Sequence, residues 1–266
     1  MAKTLAGVLA VSIAALLFAG CGGSGSLSSS NTTSPETTTT TIAALTQSQI
    51  AALLPQVTEL PMGWSSNGAE VVTAADTNER GFCNGPSGPG RAVAFGLIQY
   101  ASTEYVLSEK GARGFVRVYG FPTAEAAHGF MNASKFVSVA CPEGVNFNRV
   151  MNGSNIDLFE KVSLGSAAVP SSEESFTIIS NITSSVRDAS VERLSIDVYA
   201  RIGDIVLVTY VTGITGQSTS VATDFDFFTP RVESVNASAE SIVKSLLPRM
   251  GIRPQLNTST TTSTTN

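Results

Sequence analysis

Three cysteines, one histidine and 21 acidic side chains hold nearly all the reactive chemistry open to this chain. Cys21 follows Leu17-Phe18-Ala19-Gly20, with Lys3 and the apolar run from Leu5 to Phe18 before it. A basic start, an apolar stretch and small residues ahead of a cleavage point are the layout of an export signal. A thiol at the first mature position can take a diacylglyceryl group and palmitate, so Cys21 is the expected lipidation site. A plain cleaved signal peptide is the alternative. A retained span is disfavoured, because the run is short of the ~20 apolar residues that cross a bilayer.

With Cys21 acylated, Cys83 and Cys141 form an even pair in an exported chain, and a disulfide between them is expected. Closing so long a loop contributes about 4 kcal/mol in the chain-entropy treatment. The competing role, a redox or nucleophilic thiol, needs a neighbouring thiol or base, and His128 is the sole histidine. His128 itself reads as a partly exposed helix residue.

Other candidate chemistry is sparse. Asp224 and Asp226 alternate with Phe225, Phe227 and Phe228. Paired carboxylates can do acid–base work or hold a divalent ion, but acids outward and rings inward is the simpler reading. Glu173 and Glu174 sit in a Ser-rich turn and are expected to be solvated. Trp64, Phe225, Phe227 and Phe228 are the candidates to line a ligand cleft, since large rings are costly exposed in a patch. Trp64 is otherwise expected to pack the entry segment onto the domain. There is no H-E-x-x-H, P-loop or G-x-S-x-G. Gly20 to Gly25 matches G-x-G-x-x-G by chance, across the cleavage point and after no strand. No catalytic residue, metal or cofactor is expected. A net charge of −5 lacks the basic footprint of a nucleic-acid binder.

The elements that would carry these residues occupy only part of the chain. Residues 1–20 are a lipoprotein-type signal peptide. Residues 21–45, rich in Gly, Ser and Thr, offer no apolar surface to offset chain entropy and read as a disordered tether. Residues 254–266 read as a disordered Thr-rich tail, and 46–253 as one globular domain.

Within it, Thr46 to Leu54 reads as a helix capped by Thr46 or Ser48 and ended by Pro55. Val93 to Tyr100, Gly114 to Phe121, Ile156 to Val162 and Ser175 to Ile182 read as strands. Thr123 caps the clearest helix, Ala124 to about Ala140, whose Ala127, Phe130, Met131, Ser134, Val137 and Cys141 share one face. Arg193 to Ile202 and Ile205 to Gly213 flank Gly203-Asp204 as a hairpin. Setting Ile202 opposite Ile205 pairs Ala200 with Leu207, Val198 with Thr209 and Ile196 with Val211. A last helix runs from about Ser234 to Met250, with Ala237, Ile242, Leu246 and Met250 inward. The pattern predicts an α+β domain: a mainly antiparallel β-sheet packed by one long central helix and a C-terminal helix.

The stretch from Ala92 to Pro142 resembles the extracytoplasmic sensor-like domain of mycobacterial PknH-type receptor kinases, also found in actinobacterial lipoproteins. The carrying residues are Ala92 to Gln99, then Val116-Arg117-Val118-Tyr119-Gly120-Phe121, the helix start Pro122 to Phe130, and Ala140-Cys141. The chain departs from that pattern in lacking a second disulfide and a Trp near the helix end. The resemblance implies an α+β domain with a ligand cleft and no catalytic residues.

The function expected is a non-enzymatic, membrane-anchored extracytoplasmic lipoprotein with a ligand-binding or sensor-like domain. Its place is the outer face of the cytoplasmic membrane, and its ligand a small molecule, lipid or cell-wall fragment. An envelope protein-interaction lipoprotein and a hydrolase without a familiar motif are the alternatives. A deep, partly apolar pocket favours the first, a flat patch the second, and convergent carboxylates in a cleft the third.

Overall fold

The computed structural model describes residues 41–42, 45–60, 64–70, 81–97, 99–107, 112–151, 153–166, 169–218, 227–250 and 255–256. All of them belong to one compact unit, Thr39–Asn266. The chain runs β1 (Thr41–Ile42), α1 (Gln47–Ala52), β2 (Trp64–Glu70), α2 (Gly88–Val93), β3 (Gln99–Leu107) and β4 (Ala112–Gly120). It continues with α3 (Ala124–Ser138), β5 (Val145–Met151), β6 (Ser154–Gly165), β7 (Glu174–Val186), β8 (Ala189–Ile202), β9 (Ile205–Ser218), α4 (Val232–Met250) and β10 (Gln255–Leu256). Eight strands form one sheet in the order β2-β3-β4-β9-β8-β7-β6-β5, antiparallel at every pairing. The two-residue β1 and β10 pair separately, in stretches outside the 46–253 expected to fold.

The hairpin register follows directly from side-chain alternation. Ile202 faces Ile205, Ala200 faces Leu207, Val198 faces Thr209 and Ile196 faces Val211, across the turn where Gly203 takes φ +59°. A left-handed residue at that position suits the tight turn between two right-twisted strands.

Because strand side chains alternate between faces, β8 and β9 divide the core in two. Ile196, Val198, Ala200, Ile205, Leu207 and Val211 pack on one face, with Ile50 of α1 and Val235, Ala239, Ile242, Val243 and Leu246 of α4. Tyr199, Val206 and Val208 pack on the other, with Ala127, Phe130 and Met131 of α3 and Ala92 of α2. The two long helices thus lie on opposite faces of the sheet, rather than one of them being central. Thr123 caps α3, its hydroxyl accepting from the Ala126 N–H at 3.1 Å. Thr46 caps α1 in a reciprocal capping box with Gln49.

Two expectations change. Val93 to Tyr100 is not one strand. Ser87 accepts from the Gly90 N–H at 3.1 Å and Pro89 suits a first turn, so Gly88–Val93 is helical. Gly96, at φ +74°, turns the chain before β3 begins at Gln99. A short apolar run such as Ala92-Val93-Ala94 has no period that separates helix from strand. In α4 the inward residues include Ala239, whereas Ala237 is exposed. Strands β2, β3 and β5 were not expected; Ser, Asn and Glu dilute their alternation.

Candidate functional site

Cys83 and Cys141 are disulfide-bonded across 58 positions, with Cα atoms 5.9 Å apart. The bond ties a short 3-10 turn, Phe82–Asn84, to the segment leaving α3. Cys83 and Asn84 hold φ of 54° and 56°, a conformation that costs non-glycine residues free energy and needs support. Glu160 supplies it. This buried carboxylate accepts from the Cys83 N–H at 2.9 Å and from the Ser180 hydroxyl at 2.7 Å.

The turn and α2 form one wall of a cleft of about 780 Å³, on the sheet face that α3 covers only in part. That volume lies within the range of small-molecule sites. Its floor is the outer half of the α3-facing side of the sheet. Arg113, Phe115, Arg117 and Tyr119 come from β4, and Arg193, Ser195, Asp197 and Tyr199 from β8. The register explains the grouping: Phe115 pairs with Tyr210, and Tyr210 with Asp197, in one row across three strands. Arg113 and Arg117 lie two positions either side of Phe115, on the same face.

The rings and guanidinium groups are ordered against each other. Phe115 stacks on Tyr210 with centroids 4.3 Å apart, and the Arg117 guanidinium lies 4.0 Å from the Phe115 centroid. Arg149 of β5 lies 5.3 Å from the Phe147 centroid. Tyr199, which lines the cleft, stacks on Phe176 of the α3-side core with centroids 4.6 Å apart. Burial pushes the phenols of Tyr119 and Tyr199 up, so both stay neutral near pH 7.

Asp197 is the anomalous group. It is 3% exposed, and its Oδ2 has no hydrogen-bond partner among the described residues. Burial pushes its carboxyl up to about 7, against the pull of Arg117 and Arg91, with Glu160 adding to the rise. Such a group can hold or release a proton near neutral pH, and so can donate to or accept from a bound molecule.

The three described ring candidates, Trp64, Phe227 and Phe228, do not line the cleft. Trp64 and Phe228 pack against the core on the α1/α4 face, and Phe227 is exposed. Phe225, Asp224, Asp226 and Cys21 lie outside the described residues. His128, half-exposed, contacts Glu174 at 2.8 Å. Glu174 is not a solvated turn residue: at 15% side-chain exposure it also binds Lys135 at 2.6 Å and Arg201 at 3.3 Å. No cluster of His, Cys, Asp and Glu fit for a metal occurs among the described residues. Nor is any helix among them long and apolar enough to cross a membrane.

The cleft residues left a signal that the sequence reading passed over. Arg113, Phe115 and Arg117 alternate on one strand face, and Arg193, Ser195, Asp197 and Tyr199 alternate opposite the apolar face of β8.

No protein-family model matches the sequence, and no curated protein matches it. Among solved structures, the chain is similar to the extracellular domain of PknH from Mycobacterium tuberculosis. The TM-score is 0.47 at 11% identity, covering 76% of this chain and 98% of that one. An uncharacterised Mycobacterium smegmatis protein, the Rv0999 ortholog, is similar at TM-score 0.37 and 10% identity, covering 76% and 96%.

Proposed function

We propose that this chain is an exported, lipid-anchored binding module whose α+β domain holds a small molecule in the Arg- and aromatic-lined cleft without transforming it. The observation that carries the reading is the cleft itself: about 780 Å³, with a buried carboxylate atom that finds no partner among the described residues. A ligand that restores the missing hydrogen bond would offset the several kcal/mol that desolvating such a group costs.

Two carboxylates, Asp197 and Glu160, line this space, so hydrolysis deserves a direct comparison. Hydrolysis by a carboxylate pair needs both groups to come within hydrogen-bond reach of the reacting atoms. Both oxygens of Glu160 are already engaged, by Cys83 and Ser180, which leaves Asp197 alone. Binding is the better account.

Native mass spectrometry of the protein purified from its own host tests it. A reproducible added mass, lost when Tyr210→Ala and Asp197→Asn open or neutralise the cleft, is the expected result. Clean apo protein with no thermal shift across envelope lipids overturns it. The anchor is tested apart, by metabolic labelling with a fatty-acid analogue: label is expected on the wild type and absent from Cys21→Ser.

A further inference from the structure

We infer that the cleft takes an anionic amphiphile: a phosphate- or carboxylate-bearing polyol headgroup among its arginines, with an apolar portion along the Phe115–Tyr210 stack. The inference rests on the cleft being a binding site and names the class of ligand.

Arg91, Arg113, Arg117, Arg149 and Arg193 all line this one cleft, out of 16 Lys and Arg in a chain of net charge −5. Against them, the described lining offers only Asp197 and Glu160. Like charges gathered in one concavity repel each other, and their field attracts an anion. Arg117 and Arg149 rest on aromatic rings, at 4.0 and 5.3 Å from the centroids. Stacking holds the guanidinium plane, so less freedom is lost when its fork meets a planar or tetrahedral oxyanion.

The buried polar atoms add a second requirement. Asp197 Oδ2 and Arg91 Nε are buried without a partner among the described residues. A hydroxyl donating to Asp197 and an acid oxygen accepting from Arg91 would satisfy both. A bare inorganic anion does only the second; a phosphorylated or carboxylated polyol does both.

The apolar lining supplies the third. Leu158, Ile182 and Ile214 continue the surface that Phe115, Tyr210 and Phe147 begin. A purely polar headgroup would leave that surface wet.

The test is a thermal-shift and native mass spectrometry series on the full purified protein. The probes are dihexanoyl phosphatidylinositol, dihexanoylglycerol, myo-inositol 1-phosphate and inorganic phosphate. Phosphatidylinositol is expected to bind and dihexanoylglycerol not to. Arg113→Gln and Arg193→Gln, both at exposed positions, should each weaken binding about tenfold, with Arg193→Lys recovering part of the loss. Inositol phosphate binding as tightly as the lipid overturns the amphiphile and leaves a site for a soluble anionic polyol; weaker binding supports the amphiphile. Equal binding of the neutral glyceride overturns the anionic class while leaving the cleft a binding site. Anion binding unchanged in both arginine variants puts it elsewhere and overturns the inference. No binding by any probe, with no adduct on protein from the host, overturns both readings.

Discussion

The main-chain N–H of Cys83 donates to the Glu160 carboxylate at 2.9 Å, so the disulfide-bonded turn is fastened to the floor of the cleft it walls. Covalent closure and buried hydrogen bonding act on the same few residues. Phe82, Ser87 and Arg91 follow from that fastening, since all three line the cleft on this wall.

Removing the bond should therefore cost both stability and the site. The double variant Cys83→Ser/Cys141→Ser is expected to lose about 4 kcal/mol in chemical denaturation, from the loop-closure entropy of the unfolded chain. Glu160→Gln keeps the covalent tie but misplaces a donor against the Cys83 N–H. It should cost about 1–3 kcal/mol, the range for a buried group left unsatisfied. Cleft affinity should fall in both variants; an intact affinity in the reduced protein would show that the wall holds without the bond.

Asp197 sets a pH dependence of opposite sign to the usual carboxylate. Its pKa rises from 3.8 to about 7 on folding, chiefly through burial. Between those values the folded state binds more protons than the unfolded one. Its contribution to stability is thus complete below 3.8 and lost as pH rises through about 7. Asp197→Asn should stabilise the protein at pH 8 and flatten its stability profile between pH 5 and 8, as read from denaturant midpoints. An unchanged profile would mean that the carboxyl is compensated in solution.

Glu174 works the other way. Burial raises its carboxyl, but hydrogen bonds from Lys135, His128 and Arg201 outweigh this and hold it below its ordinary value. The stability it contributes is present above the unfolded value near 4.5 and lost as pH falls through the lower folded one. Glu174→Ala should cost about 1–3 kcal/mol near pH 7 and little at pH 3. Thermal unfolding at the two pH values measures the difference.

Much of the fold was legible because its signals are local. Thr46 and Thr123 announce helix starts through a side-chain oxygen, and Gly203-Asp204 places the hairpin turn, which then sets the pairing of every residue from Ile196 to Val211. The disulfide was legible from the parity of Cys83 and Cys141 in a sequence that opens like an export signal. The cleft was not, because its residues come from β4 through β9 and α2, distant in sequence and brought together only by the folded sheet and the helix packed on it. Attention to rings as ligand-binding candidates also favoured Trp64. Its burial is equally well explained by a core, and nothing local says which face of the sheet an edge strand presents.

Trp64 offers the cleanest check on that division of faces. A Cβ built on Gly114 would come within 2.9 Å of the Trp64 ring, so the indole lies over β4 where glycine leaves room. It packs there with the α1/α4 core, across the sheet from the cleft. Trp64→Ala should open a cavity and cost about 2–4 kcal/mol, below the loss for a fully buried tryptophan because the ring is only partly buried. Gly114→Ala should destabilise as well, through collision with the indole and with the Tyr210 carbonyl at 2.8 Å. At a temperature where Trp64→Ala remains folded, its affinity for any cleft ligand should stay within about twofold of wild type, since sites without shared partners act nearly independently. A tenfold loss in titration would place the indole in the binding site and not in the core behind it.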